Sequence, residues 1–373
     1  MKPGLSIHLD FLRLSAALTV FAAHALHAHF EGLDVDLRTE FDYGADAVIL
    51  FFALSGFVIA HAGAKADADG RRFVFNRVTR LVSVVTPAVA LTVVADAAGE
   101  RLAPSLYADW RGSTPDGPIG FVSALFMVNE WSPFGVHAGS NHPLWSVSYE
   151  FAYYLAFAAA TFLDGWRRWV VLAAVAVAAG AAVLLLAPAW LLGVVAYRVL
   201  QAAPAEEGPA RRGVWFAAAL AGPAVYFSLN ADEVDLFLLR LSFEALGEHP
   251  GILFRYSQEA LWHLFVGAAA ATHLYFIGRA IGPGRPPAPA VCGAIRWAAG
   301  ASFSLYAAHY PILMLANAAL WDAAPGPVRA VAAACVALVL CLVFASLFER
   351  PLPAFRRRIA PLFGLGPAQA RAA

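Results

Sequence analysis

HLDFLRLSAALTVFAAHALHAHF, residues 8 to 30, is apolar enough to cross a membrane, yet it holds Asp10, Arg13, His24, His27 and His29. An ionisable side chain inside a bilayer is costly, and its presence is by default a sign of function. Arg13 and His24 are 24 − 13 = 11 residues apart. Eleven helical steps of about 100° return to within about 20° of the starting direction and advance about 16 Å. The two side chains therefore share one helix face at different depths. The bland alternative is that Arg13 snorkels and His24 bonds a neighbouring helix. Asp10, three residues before Arg13, can pair with it. His27 and His29 fall at the helix end, where water is available, and His29 points about 140° away from His24. Metal binding by the three histidines is not expected, because ligands must converge.

The whole chain shares this character. Its 373 residues are 60% hydrophobic and 14% charged, against about 45–50% and about 25% for a soluble domain. The apolar residues come in long blocks, which marks an all-α polytopic membrane protein. Ten spans are expected, at roughly 9–29, 46–62, 78–97, 144–163, 168–186, 189–201, 214–230, 260–280, 300–320 and 328–348, each compared with the about 20 residues a crossing needs. The sixth is short, with Pro188 taken as the break before it; a re-entrant hairpin fits that pair too. Short connections suggest one membrane-embedded domain over 1–373, a bundle over about 9–348 with a tail over about 349–373.

Charge then sets the sidedness. The first connection holds Glu31, Asp34, Asp36, Glu40, Asp42 and Asp46 against Arg38, whereas the second holds Lys65, Arg71, Arg72, Arg77 and Arg80. Basic residues favour alternate connections and the C-terminal tail, so the positive-inside rule puts both termini in the cytoplasm. Lys2 is the only Lys or Arg before Asp10, a poor start for a cleaved signal peptide, so the first helix is expected to remain. The alanine-rich composition suggests a bacterium with a GC-rich genome, hence the inner (plasma) membrane. Formal net charge is +0, so overall charge says nothing about nucleic acid or acidic partners, and no nucleic-acid partner is expected. Cys292, Cys335 and Cys341 show no disulfide or metal spacing.

Three further polar groups stand out. In RRFVFNRVTRLVSVVTP, Arg77 and Arg80 share a face at the start of the third span; they either anchor topology or clamp an anion, since guanidinium groups bind phosphate bidentately. In NHPLWSVSYEFAYYL, Ser146 and Glu150 share a face, with Glu150 about two turns inside the span. There it needs a partner or a polar cavity. A carboxylate at the depth of His24 can orient the imidazole and raise its basicity. Trp145 suits an interfacial belt. His309 lies mid-span in SLYAAHYPI. Asp46 sits at a helix end before Ser55 and Gly56, small residues that suit tight helix packing. In FERP, Glu349 and Arg350 suit a structural salt bridge. No Walker, GxSxG, GxGxxG or HExxH pattern occurs, which argues against an ATPase, a serine hydrolase of the usual kind, a dinucleotide enzyme or a zinc protease.

Five of these stretches, in order, resemble acyltransferase family 3, the integral membrane acyltransferases. LDFLRLSAALTVFAAHA resembles the first-helix motif, with Arg13 and His24 in its arginine-ten-residues-histidine spacing. FFALSGFVI, RVTR, PLWSVSYEFAYYL and SLYAAHYP are similar to the motifs that follow, although Phe11, Leu14 and Ser15 replace small residues in the commonest form. The resemblance implies acyl transfer, usually acetyl, from cytoplasmic acyl-coenzyme A. The acceptor implied is a hydroxyl of a glycan, polysaccharide or small metabolite. It implies catalytic roles for His24, Glu150 and Arg13, donor binding by Arg77, Arg80 and Arg13, and acceptor contacts from Asp46, Trp145, Ser146, Ser148 and His309. Buried Arg, His and Glu would also suit a proton-coupled transporter or flippase, or a structural subunit of a polysaccharide export complex.

Overall fold

The computed structural model describes residues 1–26, 43–64, 69–111, 117–131, 135–204, 208–231, 233–246, 254–282, 288–323 and 326–366. His27, His29 and most of the acidic first connection lie outside these residues. Among the described residues there is no β-strand.

The helices run in chain order: α1 (Pro3–Ala25), α2 (Gly44–Gly63), α3 (Gly70–Leu102), α4 (Pro104–Arg111), α5 (Gly117–Leu125), α6 (Trp145–Phe162), α7 (Gly165–Ala202), α8 (Pro209–Ala231), α9 (Val234–Leu246), α10 (Ala260–Ala280), α11 (Pro289–Ala299), α12 (Ser302–Ala319), α13 (Gly326–Phe344) and α14 (Leu352–Ile359). Among the described residues, seven helices are long and apolar enough to cross a membrane. Two differences separate seven from the ten expected. The fifth and sixth spans fall within α7, two helical segments that meet at a kink at Gly180, with φ 81° and ψ 175°, while Pro188 lies inside the second segment. The fourth and ninth are present as α6 and α12, of 18 residues each, but their buried polar side chains make them less apolar.

The surface of these helices decides their solvent. Val177 is 83% exposed on α7, Phe227 59% on α8 and Val339 60% on α13. Many large apolar side chains exposed to water would be an aggregation liability; against lipid they are at home. The chain is a polytopic helical membrane protein.

The helices group into two compact units. The first comprises Met1–Ala16, Asp46–Asp69 and Ala152–Trp297; the second comprises Ala17–Ala45, Gly70–Phe151 and Ala298–Ala373. In the first, α10 packs on α7 and α8. There α2 and α7 approach at backbone distance: a Cβ on Gly56 would strike the Trp190 carbonyl, and one on Gly193 the Ala53 carbonyl. Small residues let membrane helices come this close, so Gly56 marks packing. In the second unit α12 packs on α3 and α13, and Glu349 accepts the Ser304 N–H at 2.8 Å, closing the start of α12 with a buried carboxylate. A negative group at a helix N-terminus suits its unpaired N–H donors.

Candidate active site

His24 stands near the end of α1, and His309 stands mid-way along α12, fully buried. Their rings stack with centroids 5.0 Å apart, and His24 Nδ1 is 2.8 Å from His309 Nε2. The direction of that bond follows from the far side of His309. Its Nδ1 lies 2.9 Å from the Leu305 carbonyl and 2.9 Å from that of Tyr306. Carbonyl oxygens only accept, so His309 Nδ1 bears a hydrogen. In a neutral ring Nε2 is then a bare acceptor. His24 therefore donates from Nδ1, which leaves the lone pair of His24 on Nε2. Two backbone carbonyls thus fix, through His309, which nitrogen of His24 is basic.

Pro311 shapes the same helix. It lacks an N–H, and its ring crowds the carbonyl four residues earlier, that of Ala307. Asn141 Nδ2 takes up that carbonyl at 2.9 Å and also donates to Thr92 Oγ1 at 3.1 Å. The backbone defect in α12 thereby becomes the anchor for the segment leading into α6. Neighbouring residues add to it. Ser140 donates its N–H and its hydroxyl to the Asp96 carboxylate at 2.9 and 2.6 Å. Gly139, at φ 55°, lies so close to Asp96 Oδ2 that no Cβ fits. Tyr306 donates its hydroxyl hydrogen to the Pro143 carbonyl at 2.7 Å. Having spent that hydrogen, it accepts from Ser146 Oγ at 2.6 Å.

These bonds wall the dyad with rings. Tyr310 meets His24 edge-on at 5.1 Å and lies parallel to His142 at 6.5 Å, while His142 stacks on His137 at 4.0 Å. The arrangement offers a nitrogen base of fixed tautomer beside flat, partly polar surfaces.

The family model described as an acyltransferase domain matches residues 7–346. The chain belongs to acyltransferase family 3. It is 34% identical over 159 residues to acyltransferase MdmB of Streptomyces mycarofaciens. That stretch is 40% of this chain and 37% of the relative, so the match spans little more than a third of that protein's length. No solved structure matches the chain.

The other family positions fall as follows. Glu150 is half-buried one turn beyond Ser146, close enough to Tyr306 for its charge to act on that hydroxyl. Ser148 is buried and accepts the Glu130 N–H at 3.1 Å. Trp145 is buried with its ring against Tyr149 at 5.1 Å, facing protein as well as any interface. Arg13 lies in the first unit, its Nη1 4.0 Å from Asp10 Oδ1, the pairing expected from their spacing. Asp46 also belongs to the first unit. It is buried and accepts from Tyr226 at 2.7 Å and Trp262 at 2.9 Å, which suits a structural carboxylate.

Arg77 and Arg80 rest over the rings of Phe73 and Phe303, each at 5.8 Å. A third arginine joins them. Arg356 of α14 donates to Thr79 Oγ1 at 3.0 Å and to the Asn76 carbonyl at 2.6 Å, within electrostatic reach of both. Sequence reasoning took Arg356 only as tail charge and passed over Asn141, His142, Tyr306 and Tyr310. The usable signals were the NHP tripeptide and Pro311 inside an otherwise helical pattern.

Proposed function

We propose that the protein is a membrane O-acyltransferase. It moves an acyl group, acetyl by preference, from cytoplasmic acyl-coenzyme A to a hydroxyl of an extracytoplasmic glycan, polysaccharide or small metabolite. The observation that carries this reading is the His24–His309 contact, with the His24 lone pair directed to Nε2. Family membership supports the reaction class.

In this reading His24 Nε2 takes the proton of the acceptor hydroxyl as its oxygen attacks the thioester carbonyl. The tetrahedral adduct expels the coenzyme thiolate, and the His24 imidazolium returns the proton to that sulfur. An imidazole with a pKa near neutrality serves both steps. His309 holds the ring and spreads the positive charge through its Nε2 acceptor. Glu150, near Tyr306, supplies negative charge on the same side. Arg77, Arg80 and Arg356 suit the coenzyme phosphates, since guanidinium forks pair with phosphate oxygens. The positive-inside rule puts that cluster and both termini in the cytoplasm. On α1, Arg13 stands about 16 Å from His24 along the axis, a span suited to a pantetheine arm. The rival transporter reading has no observation in its favour beyond the buried charges themselves.

The test is acetyl-coenzyme A binding to the purified protein in detergent, with the Arg77→Ala, Arg80→Ala double variant beside the wild type. Saturable binding weakened about tenfold or more in the variant supports the donor and its phosphate site. Undiminished binding moves the donor site elsewhere, and absence of binding by folded protein removes the coenzyme as donor.

A further inference from the structure

The first unit holds a second basic cluster, made of residues with no part in the reading above. Lys2, Arg212 and Arg279 line a cavity of about 220 Å³ together with Gln201, Tyr197 and an apolar floor that includes Leu5. A single water needs only about 10–15 Å³ of such space, and a drug-sized ligand about 300–1,000 Å³. The cavity therefore suits a small charged group.

Its cations are held in place rather than waving in solvent. Arg279 lies over the Trp215 ring at 5.2 Å and donates to the Tyr275 hydroxyl at 3.2 Å. Stacking on an aromatic face fixes the plane of a guanidinium and so prepares its fork. Arg212 is pressed so close to the backbone that a Cβ on Gly282 would collide with its guanidinium. Lys2 donates to the carbonyls of Ile281 at 2.6 Å and Gly278 at 3.1 Å, capping α10 with two of its three hydrogens. Three like charges gathered in a hollow repel one another. Burial, then Arg212 and Arg279, hold the Lys2 ammonium below the usual lysine range. A bound anion would favour the charged form of Lys2.

We propose that this cavity is a phosphate-binding site, taking the phosphate of a lipid headgroup or of a soluble phosphorylated molecule. Phosphate is the anion whose several oxygens can engage two guanidinium forks and an ammonium at once. The site stands independently of the transfer reaction.

The full chain, purified in detergent, is titrated separately with inorganic pyrophosphate and with short-chain phosphatidylglycerol. The proposal expects saturable binding of at least one probe, weakened about tenfold or more by Arg212→Gln and by Arg279→Gln, with Arg212→Lys retaining most of it. Pyrophosphate binding identifies a soluble phosphate as the source, and binding of the lipid alone identifies a headgroup. If the arginine variants lose their folded peak on gel filtration, Lys2→Gln decides, because Lys2 precedes the first helix. A weakening of about threefold or more upholds the site, and unchanged affinity overturns it. Failure of the wild type to bind either probe also overturns it, as does unchanged binding by the Arg212→Gln, Arg279→Gln double variant.

Discussion

Among the described residues, two hydrogen-bonded histidine pairs are built to one plan. In the second unit His24 Nδ1 meets His309 Nε2 at 2.8 Å, and His309 is anchored on two backbone carbonyls. In the first, His8 Nε2 meets His273 Nε2 at 2.8 Å, and His273 Nδ1 is anchored on the Ala219 carbonyl at 2.8 Å. The same reasoning leaves His24 basic at Nε2 and His8 basic at Nδ1. A fixed tautomer is thus common to both and cannot by itself make a reaction centre. The difference lies in what surrounds the basic nitrogen. The first-named pair is flanked by Tyr310, His142 and a segment pinned by Asn141, Ser140 and Pro143. A base needs a reactant held against it before its basicity is worth anything.

Substitutions can break or sharpen this comparison. The largest effect is expected at His24, where His24→Ala should lower acyl transfer by about 10²–10⁴-fold while the amount of folded protein by gel filtration stays normal. Retained activity would remove His24 from the chemistry. Next comes His309→Ala, expected to cost about 10–100-fold through a disoriented His24 ring. His309→Gln should restore much of that, since its side-chain carbonyl can accept where Nε2 did; equal loss in both variants would reduce His309 to packing.

A smaller, thermodynamic effect tests the anchor. Asn141→Ala strands the Ala307 carbonyl and should cost about 1–3 kcal/mol of stability. In a Pro311→Ala background the restored N–H can bond Ala307, so the same Asn141→Ala change should cost measurably less. A thermal-unfolding double-mutant cycle reads the coupling, and strict additivity would sever Asn141 from the proline defect. The smallest effect is expected at His8, where His8→Phe should leave transfer within about twofold of wild type. A loss like that of His24→Ala would mean the plan alone matters and the surroundings do not.

Much of this was legible in one dimension. Apolar block length placed most of the membrane helices, and ionisable residues within an apolar helix singled out Arg13 and His24. Ser146, Glu150 and His309 stood out because polar side chains in lipid are expensive. The contact between His24 and His309 was not legible. It joins residues 285 apart in sequence, and no local rule links their directions. Glu150 was read as orienting His24 from its depth and from the chemistry of a carboxylate beside an imidazole. Arg356 was missed because a basic tail after the last span is what topology requires in any case. The break in α7 was misplaced because proline is the louder signal. Yet Pro188 is accommodated within a helical run, while Gly180 takes a backbone conformation that almost only glycine can adopt.

That glycine bears on how the protein fits its bilayer. Were residues 165–202 one straight rod, their 38 residues would reach about 57 Å, nearly twice the about 30 Å of hydrocarbon available. A rod that long must tilt steeply, thicken the lipid around it or expose apolar turns to water. A Cβ at position 180 would meet no atom within 4 Å, so glycine is needed there for its backbone torsion and not for a close approach; Ser257 and Tyr153 take up the Ala182 and Val183 carbonyls just past the bend, each at 2.7 Å. The match of this segment to membrane thickness rests on the torsional freedom of one glycine.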